Sequence, residues 1–417
     1  MPTGFVSRRL LLGLVLGGVG LTLSCGGGTT EGPPVVQPAT VASISINTPL
    51  TSVEVGRSVQ LSAVARDQAG RVLQASLVWS STVPSVATVG SDGTVTGVSI
   101  GTTTIRVSSG SVLAAVSFPV TGPPVYVAGQ SYFGRNNYIE YVAGNAPVIL
   151  TAPHGGALTP STIPDRTATA CGGTATTVTD TNTGELVRAM QQQFFARHGT
   201  YPHIILSLLS RRKLDPNRLP TEAACGNTDA LAALDDWHRY IDAAKTAVLR
   251  DFGKGWYMDI HGHGHTVQRL ELGYLIADSD LNRSDASLDA TSTYENTSSI
   301  RTLSQFSTLS FSALLRGPNS LGALYANNGF PALPSATDPS PNGADYFNGG
   351  DNTARHGCGS AATGLGGVTN GNICGVQIES NFTGVRDNAV NRDRFGVATA
   401  IVLESYLRQH WNLSVTR

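Results

Sequence analysis

Charge is what this sequence has least of. Its 417 residues carry 28 Lys and Arg against 29 Asp and Glu, only 14% of the chain, for a formal net charge of -1. That balance leaves neither a basic groove for nucleic acid nor a polybasic patch for a membrane surface. Cysteine is scarce too, at five residues, and no two of them form a C-x-x-C pair. A thiolate metal site is therefore disfavoured, and neither zinc-finger nor H-E-x-x-H spacing occurs. The apolar run Leu10 to Leu23 is too short to be a comfortable membrane span. Glycine, by contrast, is plentiful at 47 residues, and the 41% hydrophobic content suffices for the cores of two or three domains.

Arg8 and Arg9 precede that apolar run, and Leu-Thr-Leu-Ser-Cys25 ends it. Residues 1–25 therefore resemble a bacterial lipoprotein signal, in which Cys25 becomes the lipid-carrying first residue. Thr22 departs from the leucine of that pattern, so ordinary signal cleavage stays open. Under either processing the mature chain is exported to the cell envelope. Residues 26–40, rich in Gly, Thr and Pro, have almost nothing to bury and read as a tether. The other four cysteines, Cys171, Cys225, Cys358 and Cys374, are an even set in an oxidising compartment and imply two disulfides. Spacing does not fix the connectivity, though Cys358 with Cys374 would close a short Gly-rich loop and leave Cys171 with Cys225.

From 41 to 121 the chain turns to short alternating runs, SISI, SVQLSAVA and TTIRV, separated by turn residues. Such spacing predicts a small antiparallel β-sandwich. The segments VWSSTVPSVATV and GSDGTVTGVSIGTTTIRV resemble a bacterial Ig-like domain of group 2, which implies a spacer or a module contacting a surface polymer. Within it Gly97-Val98-Ser99-Ile100-Gly101 matches G-x-S-x-G, the nucleophile elbow of α/β-hydrolases. That elbow needs a strand-to-helix turn, and here strand sequence flanks both sides, so a serine-hydrolase reading of Ser99 is rejected. Residues 122–130 read as a second linker.

Residues 131–417 alternate strand and helix signals. Strands are expected around APVILTAPHGG, 204–209, the run from Trp256, 270–277 and 375–379. Helices are expected over 183–198, 229–252 and 391–411, with a helical region within 298–327. Leu186, Met190 and Phe194 repeat at i, i+4, i+8, with Asp180 or Asn182 as cap and Gly199 as stop. The alternation predicts a three-layer α/β/α domain with a mixed, mostly parallel sheet, whose ligands gather at the carboxyl ends of strands.

The chemistry-bearing residues stand at those ends. WYMDIHGHGH, Trp256 to His265, follows an apolar run with three histidines, and Asp259 is placed to orient a ring. His261 leads as a metal ligand. His154, after Val148–Leu150 and before two glycines, is a second. Asp180 is the candidate third, against the alternative of a helix-capping role, with Glu185 behind it. The run Ser210-Arg211-Arg212-Lys213-Leu214-Asp215-Pro216-Asn217-Arg218 puts a dense positive field at a strand terminus and suits a carboxylate clamp. Glu379, delivered by the strand GVQIE, fits a general base, against the alternative of an ion pair with Arg386 or Arg355.

TAPHGG, Asp180 to Thr183, SRRKLDPNR, DIHGHG and the late IES occur in that order, and together they resemble the N-formylglutamate amidohydrolase family and, more distantly, the zinc carboxypeptidases. The resemblance implies a zinc hydrolase with His154 and His261 as ligands, Asn217 and Arg218 gripping a substrate carboxylate, and Glu379 as base. It departs at Ala157, where the carboxypeptidase H-x-x-E glutamate would fall. Asp180 then stands as third ligand, with His263 in reserve. Arg211 is assigned to substrate binding and Arg212 to oxyanion stabilisation. The expectation is an exported, lipid-anchored enzyme that cleaves an amide or peptide bond beside a carboxylate. A surface-binding protein that keeps the fold without catalysis is the alternative.

Overall fold

The computed structural model describes residues 40–122, 124–359 and 371–416. The proposed signal and nearly all of the tether lie outside these residues. The chain divides into two compact units, the second beginning at Val125.

The first unit is a β-sandwich. Gly101–Ser109 and Val112–Thr121 form its long hairpin. Val59, Leu61, Val95, Ile105, Phe118 and Val120 are buried between the sheets. Ser99 is exposed, donates to the Ser85 carbonyl at 2.6 Å, and lies between two strands. No elbow forms there.

The second unit is built on an eight-stranded sheet. Its strands are β1 (Ser131–Phe133), β2 (Ile139–Val142), β3 (Val148–Ala152), β4 (His203–Ser207), β5 (Gly255–Gly262), β6 (Leu270–Gly273), β7 (Ala332–Leu333) and β8 (Ile373–Ser380). The spatial order is β1-β2-β4-β3-β5-β8-β6-β7. The four central strands, β4, β3, β5 and β8, run parallel. β6 pairs antiparallel to β8 with Glu271 opposite Glu379. All of β3 and β8, and all of β5 but its last residue, is buried, as expected of parallel strands covered on both faces.

Alternate residues serve the two faces. Val148, Leu150, Trp256 and Met258 pack with α1 (Thr183–His198) and α3 (Ala389–Trp411). Ile149, Tyr257 and Ile373 pack with Trp237 and Ile241 of α2 (Thr228–Phe252) on the other side. The expected α/β/α layering is present. Gly199 ends α1 at φ +69°, a conformation that glycine adopts without strain.

The helical region expected within 298–327 is present as three short helices. Two expectations shift. β6 stops at Gly273 rather than near Ala277. Residues 125–130 belong to the second unit instead of a free linker: the Tyr126 ring meets Tyr132 and Tyr141 at 4.8 and 4.9 Å. Both disulfides form, Cys171–Cys225 and Cys358–Cys374.

Candidate metal centre at the strand ends

The carboxyl ends of β3 and β5 deliver one histidine each. His154 follows β3 by two residues, held by a close backbone crossing: a Cβ on Gly156 would strike the Leu208 and Leu209 backbone. Hydrogen bonds from Leu158 N to Leu208 O and from Ser210 N to Leu158 O stitch this turn to the segment after β4. His261 lies in β5, paired in register with Glu379 of β8. Asp180 arrives from the loop before α1, where its main-chain carbonyl accepts the N–H and hydroxyl of Thr183.

These three side chains converge. Nδ1 of His154 and Nδ1 of His261 each lie 3.2 Å from Asp180 Oδ2. The opposite ring nitrogens face two further carboxylates: His154 Nε2 is 2.6 Å from Asp215 Oδ1, and His261 Nε2 is 2.9 Å from Asp259 Oδ2. Both acids are fully buried. Asp259 is itself held by Thr151 Oγ1 at 2.5 Å. A carboxylate accepting the Nε2 proton fixes the tautomer and leaves Nδ1 with its lone pair free for a cation.

The donor set fits a divalent ion. Ligands about 2.1 Å from a tetrahedral zinc stand roughly 3.4 Å apart, close to the observed separations. Potential ligand atoms of His154, Asp180 and His261 all lie within 4.8 Å of one another. The local field agrees. Burial opposes charge on His261, yet Asp259 and Asp180 outweigh it and raise its pKa well above the ordinary value. Burial likewise pushes Asp180 and Asp215 upward, but the neighbouring imidazoles prevail and hold both well below the usual range.

Glu379 is buried beside the cluster, its Oε1 3.9 Å from His261 Nδ1 and 2.9 Å from the donating amide of Gln377. Burial pushes its pKa up to about 7, against the lowering influence of His261. Arg386, weighed as its ion-pair partner, instead spends its donors on the carbonyls of Ser380, Thr181 and His263.

The basic run behaves differently from expectation. Arg211 does not face substrate: its Nε binds Asp215 at 3.0 Å and its Nη1 lies 3.4 Å from Asp180, so it braces the acids that position His154. Arg212 turns to the surface, 55% exposed and 3.8 Å from Asp165, which removes it as an oxyanion donor. Asn217 and Arg218 do not act as a pair. Asn217 is buried, with its Oδ1 accepting Asn352 N at 2.8 Å, while Arg218 points outward to its own neighbour's carbonyl and toward Glu222. The Asn217 Nδ2 lies 3.5 Å from both His261 Nε2 and Gln377 Oε1, so Asn217 stays beside the cluster although it forms no clamp with Arg218.

The reserve ligands lie outside this cluster, and His263 groups instead with His265 and Glu271. Glu185 is exposed on the first turn of α1. Both ring nitrogens of His263 are engaged, Nε2 with Arg269 O at 2.8 Å and Nδ1 with His265 N at 3.1 Å. Asp215 and Arg386 escaped sequence reasoning as site residues. The only signal for Asp215 was a lone acid in a basic run.

None of the curated proteins matches this chain. Among solved structures it is 15% identical to N-formylglutamate amidohydrolase from Ralstonia eutropha JMP134, covering 64% of this chain and 95% of that one at a TM-score of 0.35. It is 26% identical to domains 4 and 5 of the S-layer protein SbsC, over 20% of this chain, at a TM-score of 0.19. Against a mutant intimin of EHEC O157:H7 the identity is 17% over 22% of this chain, at a TM-score of 0.17. The chain spans about half of those two structures, 53% and 54%. Structural likenesses this slight carry no functional argument. Residues 40–118 match the family of bacterial Ig-like domains, group 2, in agreement with the sandwich observed there.

Proposed function

We propose that the second unit is a zinc-dependent hydrolase that cleaves an amide or peptide bond beside a substrate carboxylate. One observation carries the reading: two imidazole Nδ1 atoms stand 3.2 Å from a single oxygen of Asp180, with each Nε2 on a carboxylate of its own. A divalent cation on His154, His261 and Asp180 would supply Lewis acidity, which activates water at neutral pH and polarises a carbonyl. The chain's own residues then divide the remaining work. Asp215 and Asp259 hold the two rings in the required tautomer. Glu379, fixed by Gln377, takes the proton from the attacking water and returns it to the leaving amine. Burial around Glu379 and the two histidines excludes bulk water from that transfer.

The first unit serves as a spacer, and Cys25 as the point of lipid attachment on an exported chain. This part of the reading rests on the N-terminal sequence pattern and on the Ig-like match.

The test is direct. The purified full chain should contain about one zinc, hydrolyse members of a panel of N-acyl amino acids, lose activity to a chelator and regain it with zinc. His154→Ala should lose metal and turnover together. Wild-type activity that survives complete metal removal would overturn the assignment.

A further inference from the structure

Asn217 and Arg218 leave the question of what would hold a substrate carboxylate. Arg269 answers it by position and by hydrogen bonding. It immediately precedes β6, whose antiparallel pairing to β8 sets Glu271 opposite Glu379. The amino end of β6 therefore lies at the same edge of the sheet as the carboxyl end of β8. Strands about 4.8 Å apart with a rise of about 3.4 Å per residue place the Arg269 backbone about 8 Å from that of Glu379. An extended arginine side chain covers most of that span.

The side chain itself is unusual. It is only 6% exposed. Its Nη1 meets Asp338 Oδ2 at 2.8 Å, and its carbonyl is the acceptor that orients His263. Nε and Nη2, which together form one planar edge of the guanidinium, are buried with no hydrogen-bond partner. Two parallel, desolvated, unused N–H donors on one edge match the two oxygens of a carboxylate. Leaving such an edge unpaired is costly unless a ligand completes it. The other arginines of the site have no such edge, because Arg211 and Arg386 are spent on carboxylates and carbonyls.

We infer that the Nε/Nη2 edge of Arg269 is the subsite for the substrate's carboxylate, and that it confines the enzyme to acyl amino acids or peptides whose free carboxylate adjoins the scissile amide. The inference rests on the hydrolase reading above for the reaction, but not for the binding.

The experiment compares wild type, Arg269→Gln and Arg269→Lys as full chains, with zinc content measured on each. Substrates are an N-acyl amino acid and its carboxamide. Wild type should prefer the carboxylate by about 100-fold or more in kcat/KM. In Arg269→Gln, KM for the carboxylate should rise by a similar factor and the preference should vanish, with kcat changed only a few-fold and zinc retained. Arg269→Lys keeps the charge without the two-donor edge and should fall between. A wild type indifferent to the carboxamide, or an Arg269→Gln protein with zinc and an unchanged KM, overturns the subsite. Should wild type hydrolyse nothing, the reaction is misassigned, and calorimetry with the same N-acyl amino acid as a ligand decides the subsite alone. Binding by wild type that Arg269→Gln lacks supports it, and equal binding or none overturns it.

Discussion

His154 and His261 offer the same ring nitrogen, Nδ1, to the same oxygen of Asp180, at the same 3.2 Å. Their chain positions are unrelated, one in a turn after β3 and the other within β5. What makes them equivalent is the carboxylate behind each ring, Asp215 for one and Asp259 for the other. Asp215→Asn should therefore weaken zinc affinity by about 10–100-fold while leaving all three ligands in place. Competition with a chelator of known affinity measures it. Unchanged affinity would mean that Arg211 and the turn alone position His154.

Glu379 touches the cluster from the remaining side, 3.9 Å from His261 Nδ1. Glu379→Gln preserves size and the hydrogen bond to Gln377 but cannot accept a proton. Turnover should fall by at least about 10²–10⁴-fold, the usual worth of a general base, with zinc content unchanged. Near-normal turnover in this variant would transfer the proton to some other group.

The two disulfides close loops of different length, Cys171–Cys225 across 54 positions and Cys358–Cys374 across 16. On loop entropy alone, the first contributes about 4 kcal/mol and the second about 3 kcal/mol, as upper values. Replacing both cysteines of each pair by serine should therefore lower the denaturant midpoint more for the first pair. The first pair also ties the 160–178 segment near Arg166, which reaches Asp215 at 3.7 Å. Its loss should depress activity as well as stability, whereas the opposite ranking would show that native-state contacts, not loop length, govern the effect.

The site was legible in the sequence where chemistry and strand ending coincide. His154, His261, Asp259 and Glu379 each stand at or beside the end of an apolar run, and parallel strands leave their functional side chains there. α1 was legible to the residue because its stripe and Gly199 agree. The basic run misled for a physical reason: charge in sequence states that a field exists, not which way each side chain turns. Arg211 turned inward to two acids, Arg212 outward to Asp165, and Asn217 inward between Asn352 and His261. Arg269 was invisible, and Arg386 was read only as a partner for Glu379, because their meaning lies in long-range partners, or in having none, and no local pattern encodes that. The short helices between 278 and 327 lack the long periodicity from which a helix is read.

One buried histidine outside the site makes the protein's acid stability predictable. His203 opens β4, and its Nδ1 accepts the Gly144 N–H at 3.1 Å and pairs with the Tyr141 hydroxyl at 2.8 Å. An acceptor Nδ1 in a fully buried ring requires the neutral form. Burial, helped by the charge of Arg250 and opposed by Asp251, depresses its pKa to about 3. In the unfolded chain the same ring titrates near 6.5. Below pH 6.5 the unfolded state therefore binds a proton that the folded state refuses, and stability falls as pH drops from 6.5 toward 3. The slope is about 1.4 kcal/mol per pH unit for this one group. Between pH 7 and pH 5 wild type should lose about 2 kcal/mol more than His203→Gln, because every other titration is common to the two proteins. Denaturant unfolding of both at the two pH values measures the difference, and parallel losses would mean that His203 takes up its proton in the folded state as readily as in the unfolded one.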